Sequence, residues 1–255
     1  MLENTFIHVK GMGLHAEKAL WEQGCATWSD LLAGIDGYSC GSVDRQLFER
    51  AIKRSVKCLA SGEHQFFRKG LGIREAWRAF PEFRSSCVYL DIETDGGQSS
   101  QSVTMIGLYD GANYRCLLKG EDLGNFPDII SHYSMIVTFA GVGFDLPTLQ
   151  RCFFGLRFDQ IHIDLCPTLR RVGHTGGLKR IEKALGIERD ERLAGLTGLD
   201  AVKLWRRYQR GDDSALETLI AYNREDVVNL EKLAEYAYLK LREERLGQPP
   251  SGMTA

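Results

Sequence analysis

The sequence predicts an α/β protein in which helices flank a mixed five-stranded sheet and a small helical region precedes that sheet. Three observations support this fold class. Residues 1–82 show helical periodicity, three period-two segments follow in succession, and strand and helix patterns then alternate to residue 243. A meander followed by βα alternation gives a sheet with antiparallel and parallel neighbours. We expect a helical N-terminal region at 1–82, a sheet domain at 83–243 and a disordered tail at 244–255.

The N-terminal region begins with short helices that are joined by glycine turns. A Gly11-x-Gly13 turn opens an amphipathic helix that breaks at Gly24, and Thr27 is a candidate cap for the next helix. Farther along, apolar residues recur at helical spacing over 43–60. Residues 45–84 carry ten Lys or Arg against four Asp or Glu, a local charge of +6 in a chain of net charge −2. This segment suits a polyanion, although a solvated charged helix explains it equally well.

The sheet domain follows from alternating apolar and polar residues, with turn-rich QSSQ and DGAN between the first three strands. The predicted strands are SSCVYLDIET, SVTMIGLYDG, NYRCLLKG, SMIVTFAG and IHIDL. The predicted helices span about 123–131, 146–154, 168–172, 178–186, 200–210 and 213–243.

The composition excludes several classes of protein. The seven cysteines are odd in number and never spaced as CxxC, which argues against a zinc knuckle and a disulfide framework. The longest apolar stretch, MIVTFAGVGF, is too short to span a bilayer, and the N-terminus does not resemble a signal peptide. We therefore expect a cytoplasmic protein with no membrane partner.

Two carboxylates lie near the end of the first strand, in CVYLDIETDGG. Because alternate strand residues share a face, Asp91 and Glu93 point the same way. Burying both without compensation is costly, and a divalent cation held by oxygen ligands would neutralise them. Alone, Asp-x-Glu is a weak motif, and solvated acids at a strand end would explain it.

Two later segments supply further candidates. Asp145 follows a glycine-rich turn at the start of a helix, and Tyr222 and Asp226 share one face of an apolar helix because they are four residues apart. Each has a structural explanation: Asp145 as a helix cap, and the other two as exposed polar residues. Taken together, these explanations account poorly for the ordered set.

The ordered motifs Asp91-Ile-Glu93, Phe144-Asp145 and Tyr222-x-x-x-Asp226 resemble those of the DEDD superfamily of 3′–5′ exonucleases, tyrosine subclass. The histidine subclass would have a histidine where Ala221 stands. YLDIET, TFAGVGFDLPTL, HIDL, GLKRIEKALGI, AVKLW and YNREDVVNL resemble, more narrowly, a YprB-like group of bacterial exonucleases with a ribonuclease-H-like domain. The resemblance covers roughly residues 80–240.

This resemblance implies a metal-dependent 3′–5′ exonuclease that acts on the 3′ ends of DNA or RNA, single-stranded or frayed, with two Mg²⁺ or Mn²⁺ ions. It implies that Asp91 bridges both ions, Glu93 and Asp226 hold the ion on the nucleophile side, and Asp145 holds the other. Tyr222 would orient the attacking water. The sequence departs from the family where Ala140 replaces the usual asparagine, which is not a metal ligand. The sequence leaves open which proteins, if any, are partners.

Other residues are candidates for contacts with nucleic acid. The segment VKGMGLHAEKALWEQG resembles a helix-hairpin-helix motif, whose turn presents backbone N–H groups to a phosphate. The candidate residues are Lys10, Gly11 and Gly13 in that segment, and Thr175, Lys179 and Arg180 at a later helix start. Packing and helix capping explain both sites as well. Asp164, which ends the IHIDL strand, is either an accessory acid in the cleft or a structural hydrogen-bond acceptor.

Two other functions compete with the exonuclease hypothesis. A nucleic-acid-binding protein on a nuclease fold that is catalytically weak or inactive remains open, because Ala140 departs from the family pattern. A glycosidase also uses paired carboxylates, but that chemistry usually occurs on a barrel with more strands than this chain offers.

Overall fold

The chain divides into two units after Arg84, which lies two residues beyond the boundary expected from the sequence. The computed structural model describes residues 1–41, 43–97 and 99–247. The N-terminal unit comprises Met1–Arg84 and Asp159–Ile161, and the sheet unit comprises Ser85–Phe158 and His162–Ala255. No helix within the described residues is both long enough and apolar enough to cross a membrane.

The N-terminal unit is helical, as predicted. Thr27 caps α2 in a reciprocal arrangement, because its hydroxyl accepts a hydrogen bond from Asp30 N and the Asp30 carboxylate accepts one from Thr27 N. The helices of this unit are α1 (Leu14–Glu22), α2 (Trp28–Gly34), α3 (Arg45–Ala60), α4 (His64–Glu75) and α5 (Phe80–Phe83). Short 3-10 helices span Leu2–Asn4, Ile35–Gly37, Ala76–Ala79 and Arg84–Ser86.

The predicted helix-hairpin-helix motif lacks its first α-helix. The residues before the glycine turn form only the 3-10 helix and turns, whereas α1 follows the turn as expected. The buried carboxylate of Glu17 explains this difference, because it accepts hydrogen bonds from Phe6 N at 2.7 Å and Ile7 N at 3.3 Å. Glu17 also pairs with the buried Arg78 at 2.9 Å. The backbone N–H groups of this segment are therefore satisfied by a side chain instead of a helix.

The sheet unit contains the predicted mixed sheet of five strands, in the order β3-β2-β1-β4-β5. The strands are β1 (Cys87–Thr94), β2 (Val103–Tyr109), β3 (Tyr114–Leu118), β4 (Met135–Thr138) and β5 (Ile161–Asp164). β1 pairs antiparallel with β2 and parallel with β4, and β2 pairs antiparallel with β3. The predicted fold class is therefore confirmed.

Seven helices in the described residues accompany this sheet: α6 (Phe126–Ile130), α7 (Asp145–Cys152), α8 (Leu165–Arg170), α9 (Leu178–Ala184), α10 (Glu191–Ala194), α11 (Gly198–Tyr208) and α12 (Asp213–Leu246). A further 3-10 helix spans Leu123–Asn125. The sequence does not predict α10. Helix α12 continues to Leu246, so residues 244–246 are helical where a disordered tail is expected. The rest of that predicted tail, 248–255, lies outside the described residues.

The two faces of β1 carry different chemistry. Val88, Leu90 and Ile92 are buried in an apolar cluster with side chains of α6 and α7, and burying each one contributes roughly 1.5–3 kcal/mol. The opposite face presents Asp91 and Glu93 to α12, whose side chains hydrogen-bond to both. The period-two alternation of the strand thus places an apolar core on one side and a polar site on the other.

Candidate active site

The carboxylates of β1 and α12 converge in space, although they are more than 130 residues apart along the chain. One carboxylate oxygen from each of Asp91, Glu93 and Asp226 lies within 4.8 Å of the others. Glu93 and Asp226 are buried, and Asp91 is partly exposed. The structure therefore brings together three of the acids singled out in the sequence.

Helix α12 presents its polar residues within an otherwise buried apolar stripe. Tyr222 and Asp226 are one turn apart and both are buried, beside Leu219 and Val227. This spacing places both functional groups on the side that packs against the sheet. A buried acid on such a helix needs a compensating partner, and the structure supplies the guanidinium of Arg189.

Asn223 is a site residue that the sequence analysis missed. Its side chain is fully buried, and its amide donates hydrogen bonds to Asp91 Oδ2 at 3.0 Å and Glu93 Oε1 at 3.4 Å. The Tyr114 hydroxyl donates to Asn223 Oδ1 at 3.0 Å, which orients the amide so that its N–H groups face the carboxylates. Its position beside Tyr222 is the only sequence signal, because nothing local predicts an amide between two acids.

Gly107 makes room for this asparagine. It lies directly opposite Asp91 in the β1–β2 ladder, and a Cβ atom added at Gly107 would lie 1.7 Å from Asn223 Oδ1. Any side chain at that position would displace the amide. The close approach of α12 to the sheet therefore depends on a glycine at the centre of β2.

Arg189 is the second residue that sequence reasoning missed. Its Nη2 atom lies 2.5 Å from Asp226 Oδ1, and it forms two hydrogen bonds, at 2.6 and 2.8 Å, with the buried carboxylate of Glu182. Asn229 donates a further hydrogen bond to Glu182 at 3.0 Å. In the sequence, Arg189 lies in the charged run ERDER, which resembles solvated surface, and its partner on α12 is 37 residues away.

Asp145 borders the cluster without belonging to the group of three. Its Oδ1 accepts a 3.3 Å hydrogen bond from the backbone N–H of Ile92, the residue between Asp91 and Glu93. The side chain is buried, and this burial raises the pKa of Asp145 from 3.8 to about 7. As the first residue of α7, it reaches β1 from a different element of the fold.

The carboxylates disfavour one another's charge. Burial, followed by the charges of Asp145, Glu93 and Asp226, raises the pKa of Asp91 well above its usual value. Burial and the nearby Asp226 raise the pKa of Glu93 from 4.5 to about 8. Burial also raises the pKa of Asp226, although Arg189 opposes this effect. A positive charge among these carboxylates would offset both the cost of burying their charge and their mutual repulsion.

This donor set fits a hard divalent cation. All of the converging ligand atoms are carboxylate oxygens, which Mg²⁺ and Mn²⁺ prefer over softer ligands. Of the nearby cationic groups, Arg189 contacts Asp226, and Lys179 acts on Glu93 and Asp226 through its charge. The acids outnumber these two cations, so the described side chains leave an excess of negative charge.

A cavity of about 290 Å³ opens beside this cluster and is lined by Tyr222, Asp226, Lys179 and Arg180. The Lys179 ammonium lies 4.4 Å from the centre of the Tyr222 ring and donates a hydrogen bond to Leu196 O. Burial and the neighbouring carboxylates raise the pKa of Tyr222 far above its usual range. Tyr222 is therefore a neutral hydrogen-bonding group and not a base.

Asp164 holds the turn that leads to Asp145. Its carboxylate accepts hydrogen bonds from Ala140 N at 2.8 Å, Val142 N at 3.1 Å and Cys166 N at 3.0 Å. The last of these caps α8, which explains why that helix starts earlier than predicted. Of the two roles considered for Asp164, the hydrogen bonds support the structural one.

Ala140 is the single non-glycine residue with positive φ in the described part of the chain, at +62°. Asparagine tolerates this left-handed conformation better than alanine. The turn at Ala140 also ends β4 at Thr138, earlier than the predicted strand SMIVTFAG. The departure from the family pattern noted above therefore falls on a strained backbone position and not on a cluster carboxylate.

Four of the six candidates for nucleic-acid contacts do not line the cavity beside the carboxylates. Thr175 does not line the cavity, and α9 begins at Leu178 with Gly177 as its cap. Lys10, Gly11 and Gly13 belong to the N-terminal unit, where Gly11 has a φ of +92° and Gly13 caps α1. Of the six predicted nucleic-acid contacts, Lys179 and Arg180 alone line the cavity beside the carboxylates.

The comparisons with known proteins give a partial structural similarity and no curated relative. No curated protein matches the sequence. The family B DNA polymerase from the hyperthermophilic archaeon Pyrobaculum calidifontis is structurally similar, with 18% sequence identity and a TM-score of 0.45. The similarity covers 63% of this chain and 24% of the polymerase, so the chain matches about a quarter of that protein's length.

A family model described as the RNase_H superfamily matches residues 88–238. This range extends from the second residue of β1 into α12 and includes β2 to β5, so it covers the mixed sheet of a ribonuclease-H-like fold. It also includes Asp91, Glu93, Asp145 and Asp226. Because the match spans more than half of the 255 residues, the chain belongs to the RNase_H superfamily.

Proposed function

We propose that this chain is a metal-dependent 3′–5′ exonuclease that hydrolyses phosphodiester bonds of single-stranded or frayed nucleic acid. The observation that carries the proposal is the convergence of Asp91, Glu93 and Asp226 within 4.8 Å, with Asp145 hydrogen-bonded to the β1 backbone between the first two. The polarity and the tyrosine subclass rest on the order of the motifs. We assign this activity to residues 83–243.

The four carboxylates would hold two divalent cations, Mg²⁺ or Mn²⁺. Such ions lower the pKa of an attacking water and stabilise charge on the leaving oxygen. The chain itself orients the ligands: Asn223 fixes Asp91 and Glu93, and Arg189 fixes Asp226. Because each ligand is held by a buried partner, little reorganisation is needed when a cation binds.

Tyr222 and the positively charged side chains beside it would position the substrate. The raised pKa of Tyr222 keeps its hydroxyl protonated, so it donates or accepts a hydrogen bond and orients a water without removing its proton. Lys179 and Arg180 line the same cavity and would contact phosphate oxygens. These residues lie beside Asp226, on the side where the nucleophile would be activated.

The experiment that tests this proposal uses end-labelled single- and double-stranded DNA and RNA, with Mn²⁺ or with EDTA. We expect wild-type protein to shorten single strands from the 3′ end with Mn²⁺ alone. Asp91→Asn should reduce turnover by at least about a thousandfold, which corresponds to roughly 4 kcal/mol of transition-state stabilisation. Asp128→Asn, an exposed position on α6, is the matched control and should retain activity. Equal turnover by wild type and Asp91→Asn would refute the assignment.

A second candidate is a nucleic-acid-binding protein that is catalytically weak or inactive. The Arg189–Asp226 ion pair favours it, because a guanidinium already lies 2.5 Å from an oxygen that would hold a cation. In that case, wild-type protein and Asp91→Asn would bind single strands equally and neither would shorten them with Mn²⁺.

We also propose a cytoplasmic location. The seven cysteines are odd in number and never spaced as CxxC, so their pattern is not that of a secreted disulfide framework.

A further inference from the structure

The N-terminal unit contains a cavity of about 470 Å³ that the proposed chemistry does not use. Helix α3 forms one wall, because Leu47, Arg50, Ala51 and Arg54 recur on one face of the helix at spacings of three and four. A neighbouring face of α3 is buried in the core of the unit, through residues such as Phe48. We call this space the N-terminal cavity.

The N-terminal cavity combines positive charge with apolar surface. Lys10, Arg50 and Arg54 line it, and none of the described lining residues is acidic. The Arg54 guanidinium lies over the ring of Phe66, 5.3 Å from its centroid, which holds a cation against an aromatic wall. Leu47, which also lines the cavity, is 58% exposed. A ligand with anionic and apolar parts would match both features.

The charge arrangement on α3 does not favour helix stability. Arg50 and Arg54 are four residues apart, and like charges at this spacing destabilise a helix. Lys53, on a different face, is compensated by Glu49 at 2.6 Å. The helix therefore neutralises a lysine outside the cavity and keeps two arginines together inside it. Lys53 and Lys57 repeat this like-charge spacing outside the cavity, so the arginine pair differs in that both of its members line the cavity.

His8 contributes no positive charge to the N-terminal cavity at neutral pH. Its side chain is buried, its Nε2 is hydrogen-bonded to Ser55 Oγ at 2.7 Å, and burial lowers the pKa of His8 to about 4. The cationic character of the cavity therefore comes from Lys10, Arg50 and Arg54.

We propose that the N-terminal cavity binds a nucleotide segment of single-stranded nucleic acid, with phosphates on Lys10, Arg50 and Arg54 and a sugar or base on Leu47 and Phe66. A cationic groove with an aromatic wall suits single strands, whose bases and sugars are accessible. A duplex offers mainly its phosphate backbone to a concave site. The proposal rests on the proposed function only in its choice of nucleic acid as the ligand.

The test measures the fluorescence anisotropy of a short labelled oligothymidylate with the full chain carrying Asp91→Asn, which prevents degradation. Arg50→Glu/Arg54→Glu is compared with Lys53→Glu/Lys57→Glu, which makes the same charge change on the same helix outside the cavity. We expect the first pair to weaken binding roughly tenfold or more and to reduce the salt slope by about 1.4, since each lost phosphate contact removes about 0.7. The second pair should weaken it no more than about threefold.

A further variant keeps the inference falsifiable if the arginine pair unfolds, as monitored by circular dichroism. Leu47→Ser retains the charge and, because Leu47 is exposed, should retain the fold. It should weaken single-strand binding more than duplex binding, because it removes apolar contact alone. Equal losses from both charge-reversal pairs, or duplex binding tighter than single-strand binding, would overturn the inference.

Failure of this inference is distinguishable from failure of the proposed function. Hydrolysis of bis(p-nitrophenyl) phosphate by the wild-type protein with Mn²⁺ tests the carboxylate site by itself. Oligothymidylate binding that depends on the arginines supports the N-terminal cavity even if the diester is not hydrolysed. Hydrolysis of the diester, together with oligothymidylate binding that does not depend on the arginines, supports the exonuclease activity. It refutes nucleic-acid binding in the N-terminal cavity.

Discussion

Replacing Glu93 with glutamine tests whether the carboxylate cluster is electrostatically strained without cations. Glu93 is buried beside Asp226, and their mutual repulsion adds to the cost of burial. Glutamine has the same shape, can still meet Asn223, and carries no charge. We expect Glu93→Gln to stabilise the cation-free protein at high pH and to abolish its stabilisation by Mn²⁺.

The magnitude follows from the pKa of Glu93, which rises from 4.5 to about 8 on folding. The folded protein holds this proton more tightly than the unfolded chain, so the unfolding free energy falls as pH rises through this window. The contribution of Glu93 protonation to the unfolding free energy is complete below pH 4.5 and is lost progressively up to about pH 8. Between pH 5 and pH 8 the loss from this one group is roughly 3 kcal/mol.

The assay is urea unfolding in EDTA at pH 5 and pH 8. Wild-type protein should lose stability between these values, and Glu93→Gln should lose roughly 3 kcal/mol less. Saturating Mn²⁺, at about a hundred times its dissociation constant, should add about 2.7 kcal/mol to the wild type at pH 8. Glu217→Gln, an exposed site on α12, should follow the wild type throughout. A wild-type stability that is constant or rises with pH in EDTA would refute the reasoning.

Three other substitutions probe how the site is held. Gly107→Ala should lower the unfolding free energy by about 1–3 kcal/mol and weaken Mn²⁺ affinity, because the new Cβ displaces Asn223. Arg189→Gln should lower the unfolding free energy by about 3–5 kcal/mol in EDTA, because it leaves the buried carboxylates of Asp226 and Glu182 without the guanidinium that pairs with them. Ala140→Asn should raise the unfolding free energy by about 0.5–1 kcal/mol, since asparagine relieves the strain of positive φ. Urea unfolding and Mn²⁺ titration calorimetry measure these effects.

Each of these substitutions has a control. Gly124→Ala places a Cβ in open space, Arg192→Gln removes an exposed arginine, and Ala112→Asn changes an exposed turn residue whose φ is not positive. The unfolding free energies of all three control variants should stay within about 0.5 kcal/mol of the wild-type value. Wild-type Mn²⁺ affinity in Gly107→Ala would contradict the role given to the glycine. Undiminished stability in Arg189→Gln would contradict the ion pair, and reduced stability in Ala140→Asn would contradict the backbone argument.

Local periodicity was enough to predict the five strands, most of the helices and the face on which each acid lies. Asp91 and Glu93 share a face because side chains alternate in any strand, and Tyr222 and Asp226 share one because they are a helical turn apart. The order of the motifs then indicated which acids meet. The shared faces are observed in the structure, because they depend on geometry within a few residues of each acid. The meeting of the acids rested on the order of the motifs instead.

Contacts between distant residues decided how the site is held together. The sequence contains Asn223, but its role depends on Gly107 and Tyr114 in two other strands. Arg189 looks like surface charge until Asp226 lies 2.5 Å away. The choice of partner is set by long-range packing, which no local pattern encodes.

Backbone conformation also depends partly on the local sequence and partly on contacts between distant residues. The sequence showed a glycine turn followed by α1, but the buried Glu17–Arg78 pair determined that the segment before the turn would not be helical. It also showed an alanine at position 140, but Asp164, reached through β5, holds that turn at its positive φ. By itself the sequence determined the elements and the identity of the acids, because these follow from local geometry and chemistry. Tertiary structure alone decided which buried groups compensate those acids, because a buried charge is stabilised by whichever partner the packing brings to it.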